Sequence, residues 1–201
     1  MVTESDLPVF VSTPGLLDVP RSKWLPVVVD VERWASRDAP LQRTVPIVAY
    51  VPSNSPMKGD SSIDEQLSLL ETNRIIKYRR LEGVPSNEMP EIYRSADIVL
   101  DQFRLGDYGV AACEALAAGR VVVGHVSRKN RERVSDLTGR ELPIVESRFA
   151  DIGATIRQIL DERDVYAELA AEGPDFTRAV HGGAASAAAM AGFLKTEVLE
   201  T

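Results

Sequence analysis

The chain has 201 residues, 44% of them hydrophobic and 26% charged, and a formal net charge of -7. That length can bury a sizeable core, and these fractions are those of an ordinary globular protein. The acidic balance argues against nucleic acid as the main partner, because a phosphate backbone calls for a basic face, while the single cysteine, Cys113, excludes an internal disulfide framework and suits a reducing compartment.

The first six residues form no apolar run, and no later stretch approaches the ~18 apolar residues of a membrane span. The expectation is a tail over residues 1–8 and one domain over 9–201, cytoplasmic, with no signal peptide and no transmembrane segment. Short apolar runs at 27–29, 46–51, 75–81, 97–100, 121–123 and 142–145 read as strands buried on both faces. Between them, 61–70 has Ile63, Gln66, Leu67 and Leu70 at helical spacing, and Ser86 to Pro90 opens a second helix with proline in its first turn. The last third is helical, over 152–163, 164–172, 176–181 and 184–199. Strand and helix in alternation imply an α/β fold, a doubly wound parallel sheet with helices on both faces and a helical C-terminal segment. Such sheets bind ligands beyond the carboxyl ends of their strands.

Residues 96–124 carry the most chemistry. They read strand, glycine-containing turn (Gly106-Asp107-Tyr108-Gly109), helix, and strand after the stop at Gly119, with one carboxylate, Glu114, inside the helix. The helix start offers unpaired amides and the positive end of a dipole, which suit phosphate or sugar oxygens. Cys113, among alanines on the same helix, reads as a small core residue. Two basic clusters, Lys77, Arg79 and Arg80 beside a strand and Arg128, Lys129, Arg131 and Arg133 ahead of a helix or loop, fit solvated surface or a phosphate site. No Gly-x-Gly-x-x-Gly follows a strand and no Gly-Lys-Ser/Thr loop occurs, which argues against dinucleotide binding and nucleotide hydrolysis.

Tyr108-Gly109, the run from Glu114 to Gly119 and Val121-Val122-Val123 resemble the signature of the C-terminal, donor-binding domain of retaining GT-B glycosyltransferases of the family 4, or group 1, type. Three more segments fit in the same order. Residues 9–30 resemble the stretch leading into that domain, Ile47 to Tyr50 followed by Lys58-Gly59 its diphosphate loop, and Gly83-Val84-Pro85 through Asp97 the segment beside the nucleotide base. The resemblance implies a Rossmann-like domain that binds a nucleotide-diphosphate sugar and hands the glycosyl group to an acceptor with retention, using neither a cofactor nor a metal.

Residue by residue, Lys58 resembles the lysine that neutralises the diphosphate and Gly59 permits close backbone approach; an ordinary surface lysine is the alternative. Glu114 resembles the glutamate that accepts hydrogen bonds from both ribose hydroxyls, against a solvated helix residue. Tyr108, Gly109 and Val110 resemble the positions whose amides approach sugar and phosphate, and Gly83 and Val84 the backbone contacts to the base. The family's first glutamate, eight positions before the second, falls on Gly106, with Asp107 adjacent, and its diphosphate arginine falls on Ser53. His181, ahead of Gly182-Gly183, reads as closing a helix end, His125 as a rim residue or a sugar contact, and Trp24 and Trp34 as packing residues. In the resemblance an acceptor-binding domain, in cis or trans, completes the cleft. A non-catalytic nucleotide-sugar-binding or regulatory module and another doubly wound binding domain remain the alternatives.

Overall fold

The structure is a computed structural model and describes residues 9–50, 52 and 61–195. Two short strands, β1 Val9–Val11 and β2 Ser22–Trp24, pair in parallel by themselves. Five further strands, β3 Ile47–Tyr50, β4 Lys77–Arg80, β5 Ile98–Leu100, β6 Val121–Gly124 and β7 Ile144–Glu146, form one parallel sheet in the order β4-β3-β5-β6-β7. The order reverses between β3 and β5, and this switch point opens a crevice beyond their carboxyl ends.

The apolar runs serve two cores at once because side chains alternate along a strand. Ile47, Ala49, Val99, Val122 and Ile144 face one core, and Val48, Tyr50, Ile98, Leu100, Val121, Val123 and Val145 face the other. Right-handed crossovers on opposite sides of the switch point put their helices on opposite faces. Accordingly α2 Ser61–Thr72, between β3 and β4, shares the second core with α6 Ile152–Asp161 and α7 Arg163–Ala171. The first core is covered by α1 Val31–Trp34, α3 Met89–Ser95, α4 Val110–Ala117, α5 Arg128–Thr138 and α8 Gly173–His181. The doubly wound parallel sheet read from the sequence is therefore the fold. The chain's last described helix is α9 Ala184–Phe193.

Burial of Asp97 fixes the lower edge of the sheet. Its carboxylate, fully buried ahead of β5, accepts from the amides of Leu41 and Ile47 at 2.8 Å each and from the Arg43 guanidinium at 3.0 and 3.1 Å. Helix α4 ends in a left-handed glycine, Gly119 at φ 65°, whose turn lets the Arg120 amide reach back to the Ala115 carbonyl at 3.1 Å and sends the chain directly into β6.

Three expectations need correction. Residues 27–29 form no strand: the Val29 amide donates to the His181 carbonyl at 2.8 Å and the Val27 carbonyl accepts from His181 Nδ1 at 3.0 Å, so the end of α8 satisfies the backbone that a sheet neighbour would have taken. The basic stretch from Arg128 to Arg133 does not precede a helix but is one, capped by Ser127, whose hydroxyl accepts from the Asn130 amide. The last strand starts at Ile144 and not at Leu142, because Pro143 has no amide for a ladder. Helix α9 is followed by a further helical turn at residues 194–195, and the remainder of the expected 184–199 helix lies outside the described part of the chain.

Candidate functional site

The loop between β5 and α4 turns away from the sheet at the switch point and is held by its own polar side chains. Gln102, 7% exposed, accepts from the amides of Arg104 and Leu105 and donates to the Asp107 carbonyl, closing residues 102–107 into a compact bend. Gly106 sits in that bend at φ 66°, where any side chain is strained, and its carbonyl accepts from the Ser127 amide and Asn130 Nδ2. The bend is thereby fastened to the start of α5.

Asp107 is buried, and both its oxygens are engaged within the protein. Oδ1 accepts from the Tyr108 amide at 2.9 Å and Oδ2 from the Gly15 amide at 2.8 Å, so the carboxylate staples this loop to the turn Pro14–Asp18. Burial raises its pKa, and the amides of Tyr108 and Gly15 and the Thr13 hydroxyl oppose the rise. Tyr108 is buried as well. Its hydroxyl donates to His181 Nε2 at 3.2 Å, a direction set by His181 Nδ1, which donates to the Val27 carbonyl. Burial lowers the His181 pKa against that backbone bond, and the ring packs edge-on against Trp24 and Tyr108. His181 thus fastens the 27–29 segment, α8 and the candidate loop together.

Gly109 caps α4 at φ -116° and ψ -171°, and a Cβ placed on it meets nothing within 4 Å. The approach to the first amides of α4 is open, and Val110, 48% exposed, stands beside it. The Gly109 amide is 3.4 Å from Asp101 Oδ2 at the end of β5. A cavity of about 490 Å³ lies here, lined by Asp101, Asp107, Tyr108, Gly109, Lys129 and the turn at Gly15. On its rim Asp18 pairs with Lys129 and also with Arg133, and the two hold its carboxyl down at about 2, the Arg133 hydrogen bond being the larger cause.

Glu114 lies one turn further along α4 and does not line this cavity. It is half-buried, and burial raises its carboxyl to about 7, opposed by the charge of Arg33 on α1. The same Arg33 guanidinium sits over the Trp34 ring at 5.7 Å and donates to the Ser86 carbonyl at 3.4 Å. Ser86 belongs to the segment after β4 that holds Gly83, at φ 64° with open space where a Cβ would stand, and Val84, which packs on the first core. Near the start of α4, Asp101, Asp107, Tyr108 and Gly109 line the cavity, while Glu114 lies within electrostatic reach of Arg33, which is hydrogen-bonded to the 83–86 segment. Lys58, Gly59 and Ser53 lie outside the described residues.

Asp101 and Arg33 are the members the sequence reading did not single out. Asp101 carried a signal, since it directly follows a buried strand at the ligand edge. Arg33 carried none, because its closeness to Glu114 spans 81 positions of chain. Among the described residues no group of three or more His, Cys, Asp or Glu side chains is placed to hold a metal, and no helix is long and apolar enough to cross a membrane.

No protein-family profile and no curated protein matches the sequence. Solved structures do match its fold. Sucrose-phosphate synthase from Thermosynechococcus elongatus superimposes with a TM-score of 0.66 at 15% identity, over 100% of this chain and 60% of that one. TarM from S. aureus, in a complex that contains UDP, gives 0.70 at 14% identity over 94% and 44%. HepE from Anabaena, bound to UDP-glucose, gives 0.69 at 10% identity over 96% and 65%. The chain spans 44% to 65% of the length of these three proteins. The likeness is one of fold, a Rossmann-like domain of the kind found in GT-B structures.

Proposed function

We propose that this chain is the donor-binding domain of a GT-B glycosyltransferase and takes up a nucleotide-diphosphate sugar at the α4 N-terminus. The observation that carries the reading is the half-buried carboxyl of Glu114 one turn behind the open, glycine-capped start of α4, on a fold shared with proteins solved with UDP or UDP-glucose. In this reading Glu114 ionises to accept from the ribose hydroxyls, the Gly83-Val84 backbone meets the base, and the amides at Gly109 and Val110 face the diphosphate and glycosyl group. Lys58 and Gly59 complete the diphosphate site. As the bond to the glycosyl group breaks, negative charge grows on the leaving diphosphate, and the α4 dipole and amides stabilise it. Asp107, with both oxygens occupied, fixes the loop and leaves the sugar to the backbone beside it.

Transfer proceeds with retention and without a metal or other cofactor in this reading, and an acceptor-binding domain, in cis or trans, supplies the other wall of the cleft. The chain alone then binds nucleotide in the micromolar to millimolar range, roughly 4 to 8 kcal/mol, and transfers no sugar by itself. Calorimetry and thermal unfolding with UDP, GDP, ADP and their sugars at millimolar concentration test the binding. Absence of both heat and stabilisation across that panel refutes the proposal.

A further inference from the structure

A second pocket lies beyond the ends of β6 and β7, on the far side of Gly106 from the α4 N-terminus. It has a volume of about 540 Å³ and is lined by His125, Ser127, Arg128, Arg131, Glu146 and Arg148 among others. Its floor is rigid. Glu146 Oε1 accepts from His125 Nδ1 at 2.6 Å, and Oε2 accepts from the Val126 amide at 2.9 Å and from Arg131 at 3.2 Å. Arg131 also donates to the carbonyls of Val126, Leu142 and Ile144, so its guanidinium is committed to the scaffold. Burial would raise the Glu146 pKa, but the hydrogen bonds from His125, Val126 and Arg131 hold it below the ordinary value. An ionised carboxylate can only accept, so Nδ1 of His125 carries a proton, and in the neutral imidazole Nε2 is then the acceptor.

That Nε2 points at the glycine bend, for a Cβ built on Gly106 comes within 3.6 Å of it. With no side chain at 106, no Cβ stands against Nε2 on that side, and the His125 side chain as a whole is 12% exposed. The pocket's rim is cationic and adjustable. Arg148 is exposed and has no ion-pair partner among the described residues, and Arg128, whose side chain is 91% exposed, holds only a surface pair with Glu132 at 2.9 Å. Surface pairs of this kind exchange readily for a better anion. A fixed imidazole acceptor below two exposed guanidinium groups matches a small molecule that carries both hydroxyls and an anionic group.

We infer that this pocket is a subsite for an anionic sugar acceptor, with Arg128 and Arg148 on its phosphate or carboxylate and His125 Nε2 accepting from one of its hydroxyls. The assignment to the acceptor rests on the donor-domain reading above. The pocket lies on the same strand-end edge as the α4 N-terminus, and Ser127 borders both it and the first cavity.

The test titrates glucose 6-phosphate, glucuronate, glucose and inorganic phosphate into the 201-residue chain saturated with UDP, read by calorimetry and by the His125 imidazole resonances. Glucose 6-phosphate, glucuronate or both are expected to bind and to shift those resonances, and neutral glucose is not; the phosphate and carboxylate arms identify the preferred anion. Arg128→Gln with Arg148→Gln should weaken that binding by about tenfold or more and leave UDP affinity unchanged. Equal binding of glucose and the anionic sugars, binding unaffected by the double substitution, or no binding of any probe to the UDP-loaded chain overturns the inference. Failure of UDP itself to bind is a separate result and refutes the donor reading, which the UDP titration shows before any sugar is added.

Discussion

Replacing Glu114 by glutamine removes a carboxyl whose environment disfavours its charge, and the consequence runs in opposite directions for the empty and the liganded protein. Burial raises the group from 4.5 to about 7. At 1.36 kcal/mol per pH unit the full rise corresponds to about 3 kcal/mol, and the side chain's partial exposure screens this to about 1 to 2 kcal/mol. Because the folded-state pKa lies above the unfolded one, the native state holds the proton more tightly. Its stabilising contribution is complete below about pH 4.5 and is lost as pH rises through about 7. The Glu114→Gln variant lacks this titration. In urea unfolding it should gain about 1 to 2 kcal/mol on the parent between pH 5 and pH 8. In UDP binding it should lose about 1.5 to 3 kcal/mol at pH 8, because the charge that strains the empty site is the one that accepts from ribose. Parallel unfolding curves at the two pH values, or equal UDP affinity at pH 8, would refute the reasoning.

Two substitutions test the surrounding geometry. Gly109→Ala places a methyl group where a Cβ meets nothing within 4 Å and the backbone is extended, so chemical denaturation should show a change within about 0.5 kcal/mol, while calorimetry should show UDP binding weaker by about 1 to 2 kcal/mol as the methyl enters the approach to α4; unchanged affinity would place the ligand elsewhere. Asp97→Asn exchanges an acceptor-only carboxylate for an amide opposite the buried amides of Leu41 and Ile47 and deprives Arg43 of its partner, and unfolding experiments should show a loss of about 2 to 4 kcal/mol with little change in UDP affinity of the folded protein.

Local pattern determined the alternation of strand and helix, because both periodicities are properties of neighbouring residues. The strand, bend, helix and strand around Glu114 were legible for the same reason: Gly119 needs a left-handed turn, and Val121 to Val123 have nowhere to go but a buried sheet. The doubly wound fold followed, and with it the edge on which a site could form. Pairings between distant segments were not legible. The apolar run at 27–29 has the composition of a strand, yet the carbonyl and imidazole of His181, more than 150 positions away, satisfy its backbone instead. Asp107 stands in the sequence only as the acid next to Gly106, and the Gly15 amide, 92 positions earlier, makes it a staple. The elevated pKa of Glu114, the neighbouring Arg33 and the dyad of His125 with Glu146 likewise exist only once the sheet brings separate loops to one edge. Burial and through-space charge are set by what packs around a group, and that is decided by the tertiary fold rather than by the residues on either side of it.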